Sequence, residues 1–232
     1  MSRRGRALPR SFFARDSLEL APLLLNKVLV RDDPDGGGRL AARLVEVEAY
    51  HGAADPGSHG YRGMTPRTTT MFGAAGHLYV YFTYGMHWCA NVVASHAPGD
   101  AGAVLLRAAA PLDGLDVMRS RRRSGGAAKR SVARTDLELC AGPARLCQAF
   151  GITGDRDGTD LTRGTLRLVD DGVAPPAHPF VGTRIGLAPG KGDESPWRFC
   201  VPGDPHISRP PRGRSATEAA ADNAVQPRRR GR

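Results

Sequence analysis

The stretch LVEVEAYHGAADPGSHGYRGMTPRTTTMFGAAGHLYVYFTYGMHWCAN, residues 44–91, concentrates the chemistry of this chain. It holds all five tyrosines, one of the two tryptophans and four of the seven histidines, together with two glutamates two residues apart. Leu44 to Tyr50 alternates, so as a strand it turns Val45, Val47 and Ala49 one way and Glu46, Glu48 and Tyr50 the other. Leu78 to Phe82 is rich in aromatic and branched residues and predicts a second strand, with Tyr79 and Tyr81 on one side and Val80 and Phe82 on the other. Two such strands can wall a pocket for something flat.

Working outward, the remaining chain predicts short elements around this centre. Asp16 can cap a helix over Ser17 to Leu25, with Pro22 awkward inside it. Lys27 to Arg31 is a strand, and DDPDGGG is a turn that returns the chain as a hairpin into the strand carrying Glu48. Residues 50–71, full of Gly, Pro, Thr and Ser, form a long loop with helical turns. Tyr84, Gly85 and Met86 make a turn into a strand over Trp88 to Ala94, and Ala103 to Ala108 is a buried strand with Arg107 set in it. A helix over Asp113 to Arg122 runs into a solvated basic loop, RSRRRSGGAAKRS. Gly142 and Pro143 open a helix that Gly151 ends. Further strands are expected at Thr165 to Val169, Thr183 to Leu187 and Trp197 to Val201. The domain organisation expected is a basic flexible arm over 1–10, one folded domain over 11–208 and a disordered basic tail over 209–232. Removal of both ends should leave folding intact.

Composition narrows the partner. Of 232 residues, 33 are Lys or Arg against 23 Asp or Glu, a formal charge of +10 that suits an anionic polymer, nucleic acid before membrane. All but Lys27, Lys129 and Lys191 of these bases are arginines in a chain also rich in Ala, Gly and Pro, so compositional bias contributes to the excess. No apolar run reaches the roughly 18 residues that span a bilayer. The four cysteines are scattered without a C-x-x-C pair, which predicts reduced thiols in a cytoplasmic protein and no metal centre.

Between Val45 and Arg107 the chain resembles the alkyladenine, or 3-methyladenine, DNA glycosylases. The motifs that carry the resemblance are EAYHG followed by DPGSH, then MTPRTTTMFG, GHLYVYFTYGMHWCAN, GAVLLRAAAPLDGL, AGPARLCQAFGI and PWRFC, in that order between about residues 12 and 208. The resemblance implies a mixed α/β (α+β) single domain with a curved antiparallel sheet and surrounding helices, without metal or cofactor. It implies a monofunctional DNA-repair glycosylase that flips alkylated purines, and by extension deaminated ones, out of double-stranded DNA and hydrolyses the N-glycosidic bond with activated water. A monomer associated with the nucleoid is expected. Glu48 would be the general base and Arg107 would help hold the water. Tyr50, His59 and Tyr81 would line the base pocket, and Asn91 would crowd the position where guanine carries its amino group. Tyr84 would enter the minor groove in place of the flipped nucleotide. The chain departs from the family pattern at Met64, Thr68 and Ala110.

The residues make chemical sense apart from the resemblance. Extruding a base costs a few kcal/mol, and stacking on aromatics at ~1–3 kcal/mol per base is of a size to offset it. An oxocarbenium-like transition state is served by a carboxylate that both stabilises positive charge and takes a proton from water. Alkylated purines are cationic, which aromatic faces favour. Imine chemistry needs a lysine, and the central stretch has none. On residue type alone, Glu48 is a solvated strand residue or ion-pair partner, Tyr79 and Tyr81 are core packing, His59 is a loop histidine, and Arg107 is a structural arginine paired with Glu46 or Glu48. Two other functions fit less well: a non-catalytic nucleic-acid-binding module, which needs no carboxylate beside stacking aromatics, and a glycoside hydrolase, whose paired carboxylates would face each other across a bond rather than point in parallel.

Overall fold

The computed structural model describes residues 5–33, 38–95, 97, 99–124 and 132–209. Among these, strands β1 (Arg6–Ala7), β2 (Val28–Asp33), β3 (Gly38–His51), β4 (Leu78–Thr83), β5 (His87–Ala94), β6 (Gly102–Asp113), β7 (Leu166–Asp170), β8 (Phe180–Gly182) and β9 (Arg198–Cys200) form one sheet. Its main path runs β1-β7-β2-β3-β6-β5-β4, with β9 pairing β3 and β8, and every pairing is antiparallel. The fold is a single α+β domain. Where β2 ends its pairing opposite Arg43, β9 takes over the same edge of β3 opposite Glu46, Val47 and Glu48. That exchange brings the C-terminal part of the chain beside the two carboxylates.

One face of the sheet carries the main core. Leu29, Leu40, Ala42, Leu44, Val47, Ala49, Leu78, Val80, Val104 and Leu106 pack there beneath helices α2 (Ser17–Leu24) and α4 (Pro143–Phe150). Asp16 caps α2 by accepting from the Leu18 amide at 2.7 Å, and Pro22 sits inside the helix without ending it. Helix α4 begins at Pro143 and stops at Gly151, whose φ of 62° is the left-handed conformation a helix C-terminus commonly uses. Leu146, Ala149 and Phe150 face the core as their spacing predicts.

The alternation of β3 is broken once, and the break decides what faces where. Leu44 pairs with Ala109 and Glu46 with Ala108, so Val45 is an extra residue on β3. Val47 then pairs with Leu106, so Arg107 is an extra residue on β6. Before the break Leu40, Ala42 and Leu44 face the core; after it Val47 and Ala49 do. Without the bulge, the phase of the first half would have turned Glu46 and Glu48 into the apolar core.

Three expectations change. In place of an arm free up to residue 10, Arg6–Ala7 pair with β7, Leu8 is buried and α1 (Arg10–Phe13) starts at Arg10, because the edge of β7 offers unpaired backbone groups. Residues 1–4 of that arm and 210–232 of the tail lie outside the described residues. The helix expected to Arg122 runs on to Ser124 as α3 (Leu115–Ser124), and Arg122, expected to be solvated, is buried and bonds the Gln148 side chain on α4; the rest of the basic run, 125–131, lies outside the described residues. The strand expected at Thr183 to Leu187 is displaced to Phe180–Gly182. The Ile185 amide donates to the Glu48 carboxylate rather than to a strand.

Arg10 ties α1 to segments distant in sequence, donating to the Ala75 carbonyl at 2.6 Å and to Asp160 at 2.7 Å. Arg10→Ala should cost about 1–2 kcal/mol, seen as a melting temperature lower by roughly 3–6 °C. An unchanged melting curve would return this residue to a free basic arm.

Candidate active site

On the face opposite the main core, a cavity of about 320 Å³ opens between the β4–β5 hairpin, β6 and the loops 57–59 and 185–187. Its walls are aromatic. The Tyr79 and Tyr81 rings stack with centroids 5.6 Å apart, and His59 meets Tyr81 edge-on at 4.5 Å. His59 Nδ1 lies 3.0 Å from the Tyr79 hydroxyl. Burial, then the charge of Arg67, pulls the His59 imidazole below its usual range, so it is neutral near pH 7. Burial pushes the phenols up, Tyr79 to about 12, so they remain neutral hydroxyls at the same pH. Asn91 is buried and donates to the Tyr79 carbonyl at 3.2 Å, while Leu105 and Arg107 of β6 close the floor.

Glu48 stands directly behind this floor, fully buried. Three groups that line the cavity hold its carboxylate: the Ile185 amide donates to Oε1 at 2.7 Å, Arg107 Nη1 lies 3.2 Å from Oε1, and the Tyr50 hydroxyl donates to Oε2 at 3.1 Å. Burial outweighs all three and raises its pKa above the ordinary carboxylate value. A carboxylate so placed is a stronger base than a solvated one, provided the pH keeps it ionised.

Glu46 has the other fate. Its Oε1 accepts from Arg107 Nε at 3.0 Å, Arg198 Nε at 2.7 Å and the Ser208 hydroxyl at 2.9 Å, and its Oε2 accepts from the Ser208 amide at 2.6 Å. Burial alone would raise its pKa, but Arg107, Arg198 and the Ser208 amide together hold it below the usual value. Glu46 is therefore a saturated structural anion. Arg107 pairs with both glutamates rather than with one.

Tyr84 lies at the rim of the cavity, at the tip of the β4–β5 hairpin, 79% exposed. Tyr84 and Gly85 both adopt left-handed backbone, φ 50° and 63°, which turns the hairpin tightly and projects the phenol outward. Of the departures, Met64 is on the surface, and Thr68 closes its own turn by accepting from the Thr65 amide at 2.9 Å.

The structure thus brings Arg107, Tyr50, His59, Tyr81, Asn91 and Tyr84 to the lining of one cavity, with Glu48 bonded behind it to three of the lining residues. It adds partners that had no role in the sequence: Arg198, Ser208, Ile185 and the pair Asp55 and Arg184. Asp55 lies inside the DPGSH motif and Arg198 inside PWRFC, so both were visible as charges within those motifs. Ser208 and Ile185 act partly or wholly through backbone amides, which no residue type announces. Among the described residues no group of three His, Cys, Asp or Glu side chains is placed to hold a metal ion, and none of their helices is long and apolar enough to cross a membrane.

Residues 11–205 match the family model described as methylpurine-DNA glycosylase. Relatives named "Putative 3-methyladenine DNA glycosylase" include proteins from Burkholderia orbicola, 53% identical across 88% of this chain and 92% of the relative, and Streptomyces avermitilis, 48% identical across 87% and 90%. A third, from Carboxydothermus hydrogenoformans, is 45% identical across 87% of this chain and 98% of its own.

Glu46→Gln leaves two buried guanidiniums short of a counter-charge and should destabilise the fold by about 3–5 kcal/mol. Because the folded pKa of Glu46 is depressed, its contribution is present above the unfolded carboxylate pKa and is lost as pH falls through the folded value. Urea melts of wild type and variant should therefore converge as the pH is lowered below the carboxylate range. Equal stability at pH 7 would remove Glu46 from this structural role.

Proposed function

The chain belongs to the methylpurine-DNA glycosylase family, and from that premise we propose that it flips damaged purines from duplex DNA and hydrolyses their N-glycosidic bonds. The enzyme is a monofunctional DNA-repair glycosylase, and its substrates are alkylated purines such as 3-methyladenine, with deaminated purines as a further class. The observation that carries the reading is the buried Glu48 carboxylate, gripped by three groups that themselves line an aromatic cavity.

Each part of the cavity serves one step. Tyr81 and Tyr50 offer faces on which a flipped purine stacks, and a cationic alkylpurine gains further from the negative faces of their rings. His59, neutral and hydrogen-bonded to Tyr79, reads the edge of the base without repelling its charge. Asn91, held by the Tyr79 carbonyl, crowds the edge where guanine carries its extra amino group; the fixed side chain in the cavity lining supports that role. Tyr84, exposed on the hairpin turn, fills the gap the nucleotide leaves in the stack.

Glycosidic cleavage builds positive charge on the sugar, which Glu48 stabilises as a carboxylate while it takes a proton from the attacking water. Arg107 has Nη2 turned to Ser208 at 3.3 Å and Nη1 to Glu48, and it helps to hold that water against the carboxylate. The departing base leaves with the bond electrons, and the sugar keeps the water oxygen, giving an abasic site. No lysine stands among the residues lining the cavity, which favours water over an imine-forming amine as the attacking group.

Two variants test the reading. Glu48→Gln keeps size and hydrogen-bonding shape but removes the base. Single-turnover release of hypoxanthine should fall at least ~100-fold while the variant still binds lesion duplex. Near-normal release by folded, DNA-bound variant moves the base elsewhere. Tyr84→Ala should weaken extrusion, read by 2-aminopurine fluorescence beside the lesion, most of all where the lesion is firmly paired; an unchanged signal would make Tyr84 only a turn residue.

A further inference from the structure

Behind the cavity lies a charge that the proposed chemistry does not use. Arg184 has no exposed side-chain surface, and neither does its partner Asp55. Its two terminal nitrogens grip both oxygens of the Asp55 carboxylate and also donate to the Ala49 carbonyl at 3.0 Å and the Gly192 carbonyl at 3.1 Å. The guanidinium lies 4.6 Å from the Tyr50 ring centroid and 4.9 Å from that of Trp197. Asp55 in turn accepts from the Gly57 amide at 2.9 Å and the His51 amide at 3.1 Å. Gly192, at φ 71°, leaves the room the guanidinium needs, since a Cβ there would stand 2.4 Å from Nη2.

A buried ion pair is a weak device for stability, because desolvating two charges costs about as much as their attraction returns. Arg184 Nε has no hydrogen-bond partner among the described residues, a further cost. What the cluster does achieve is convergence. It joins the end of β3, which carries Tyr50; the loop from Asp55 to His59; and the segment whose next residue, Ile185, donates to Glu48. Each of these three segments contributes to the cavity lining, and two of them also bond the carboxylate behind it.

We infer that Arg184 is a positioning residue for the reaction: its clamp on Asp55 fixes the Tyr50 ring and the direction of the Ile185 amide, and so holds Glu48 in its working orientation. This rests on Glu48 being the base. Arg184 does not line the cavity and acts only through these neighbours. Glu48 is faced by Arg107, by the Ile185 amide and by the Tyr50 hydroxyl, all of which favour its charged form, and by Glu46, which opposes it. Tyr81, Cys89 and Cys200 stand within reach from β4, β5 and β9, each with its acid group pushed up by burial and hence neutral. Loosening the clamp withdraws the Ile185 amide and weakens the Tyr50 bond, so Glu48 holds its proton to higher pH.

The test uses full-length Arg184→Lys, which keeps the charge but cannot grip both Asp55 oxygens, and Gly192→Ala, which keeps the arginine and displaces it. Wild type and variants are compared by single-turnover hypoxanthine release across pH and by ¹³C NMR titration of the Glu48 carboxyl. In both variants the rate at saturating enzyme should fall at least about tenfold, as small misplacements of reacting groups do. The acid limb and the carboxyl titration should both move to higher pH, and lesion-duplex affinity should change less than the rate. A folded variant with an unmoved titration, or with a rate loss that only follows its folded fraction, overturns the inference. Should the lysine variant not fold, Gly192→Ala decides by the same readouts. Wild-type protein that releases no purine would contradict the proposed function, with the titration still reporting the clamp; normal wild-type release with an unmoved variant titration contradicts the clamp alone.

Discussion

Arg107 is where the sheet and the site depend on each other. It is an extra residue on β6 opposite β3, as Val45 is an extra residue on β3, and these adjacent irregularities turn the outer half of β3 over. The first half of that strand faces the core with Leu40, Ala42 and Leu44, and the second half with Val47 and Ala49. Had the register run on unbroken, two carboxylates would have met the apolar side chains under α2 and α4, where an unpaired charge is costly to bury. The bulge turns them instead to the face where Arg107 waits, and Arg107, displaced from the ladder, bonds both.

Two glutamates two residues apart thereby acquire different chemistry from different neighbours. Glu46 meets two guanidiniums and two donors from Ser208, so it stays ionised and holds β3, β6, β9 and the 208 segment together. Glu48 shares one of those guanidiniums and otherwise has an amide and a phenol, too little to offset its burial, and its pKa rises. Stability is thus vested in one carboxylate and basicity in the other. The arginine between them couples the two, since whatever moves Glu46 moves the group that orients Glu48.

Much of this was legible in the sequence because it follows from side-chain period and type. The alternation after Leu44 places Glu46, Glu48 and Tyr50 on one face, the aromatic run places Tyr79 and Tyr81 together, and Pro143 with Gly151 bounds α4. The bulge was not legible: Val45 and Arg107 are ordinary strand residues by type, and the break appears only when two strands are counted against each other. The segment 183–187 read as a strand, yet the Ile185 amide is claimed by a carboxylate 137 positions away in the chain. Arg6 to Arg10 read as a free arm because four arginines in ten residues suggest solvent, whereas the open edge of β7 and the Asp160 carboxylate give the segment partners. In each case the competing interaction was long-range.

Under the proposed function, Glu48 is a base strengthened by burial that must be ionised to act. The direct measurement is the pH dependence of single-turnover hypoxanthine release, which follows bond cleavage without product dissociation. The wild type should show an acid limb at higher pH than an ordinary glutamate would give, and the residual rate of Glu48→Gln should lack that limb. An acid limb at the ordinary carboxylate position, or one that persists unchanged in Glu48→Gln, would contradict this role of Glu48.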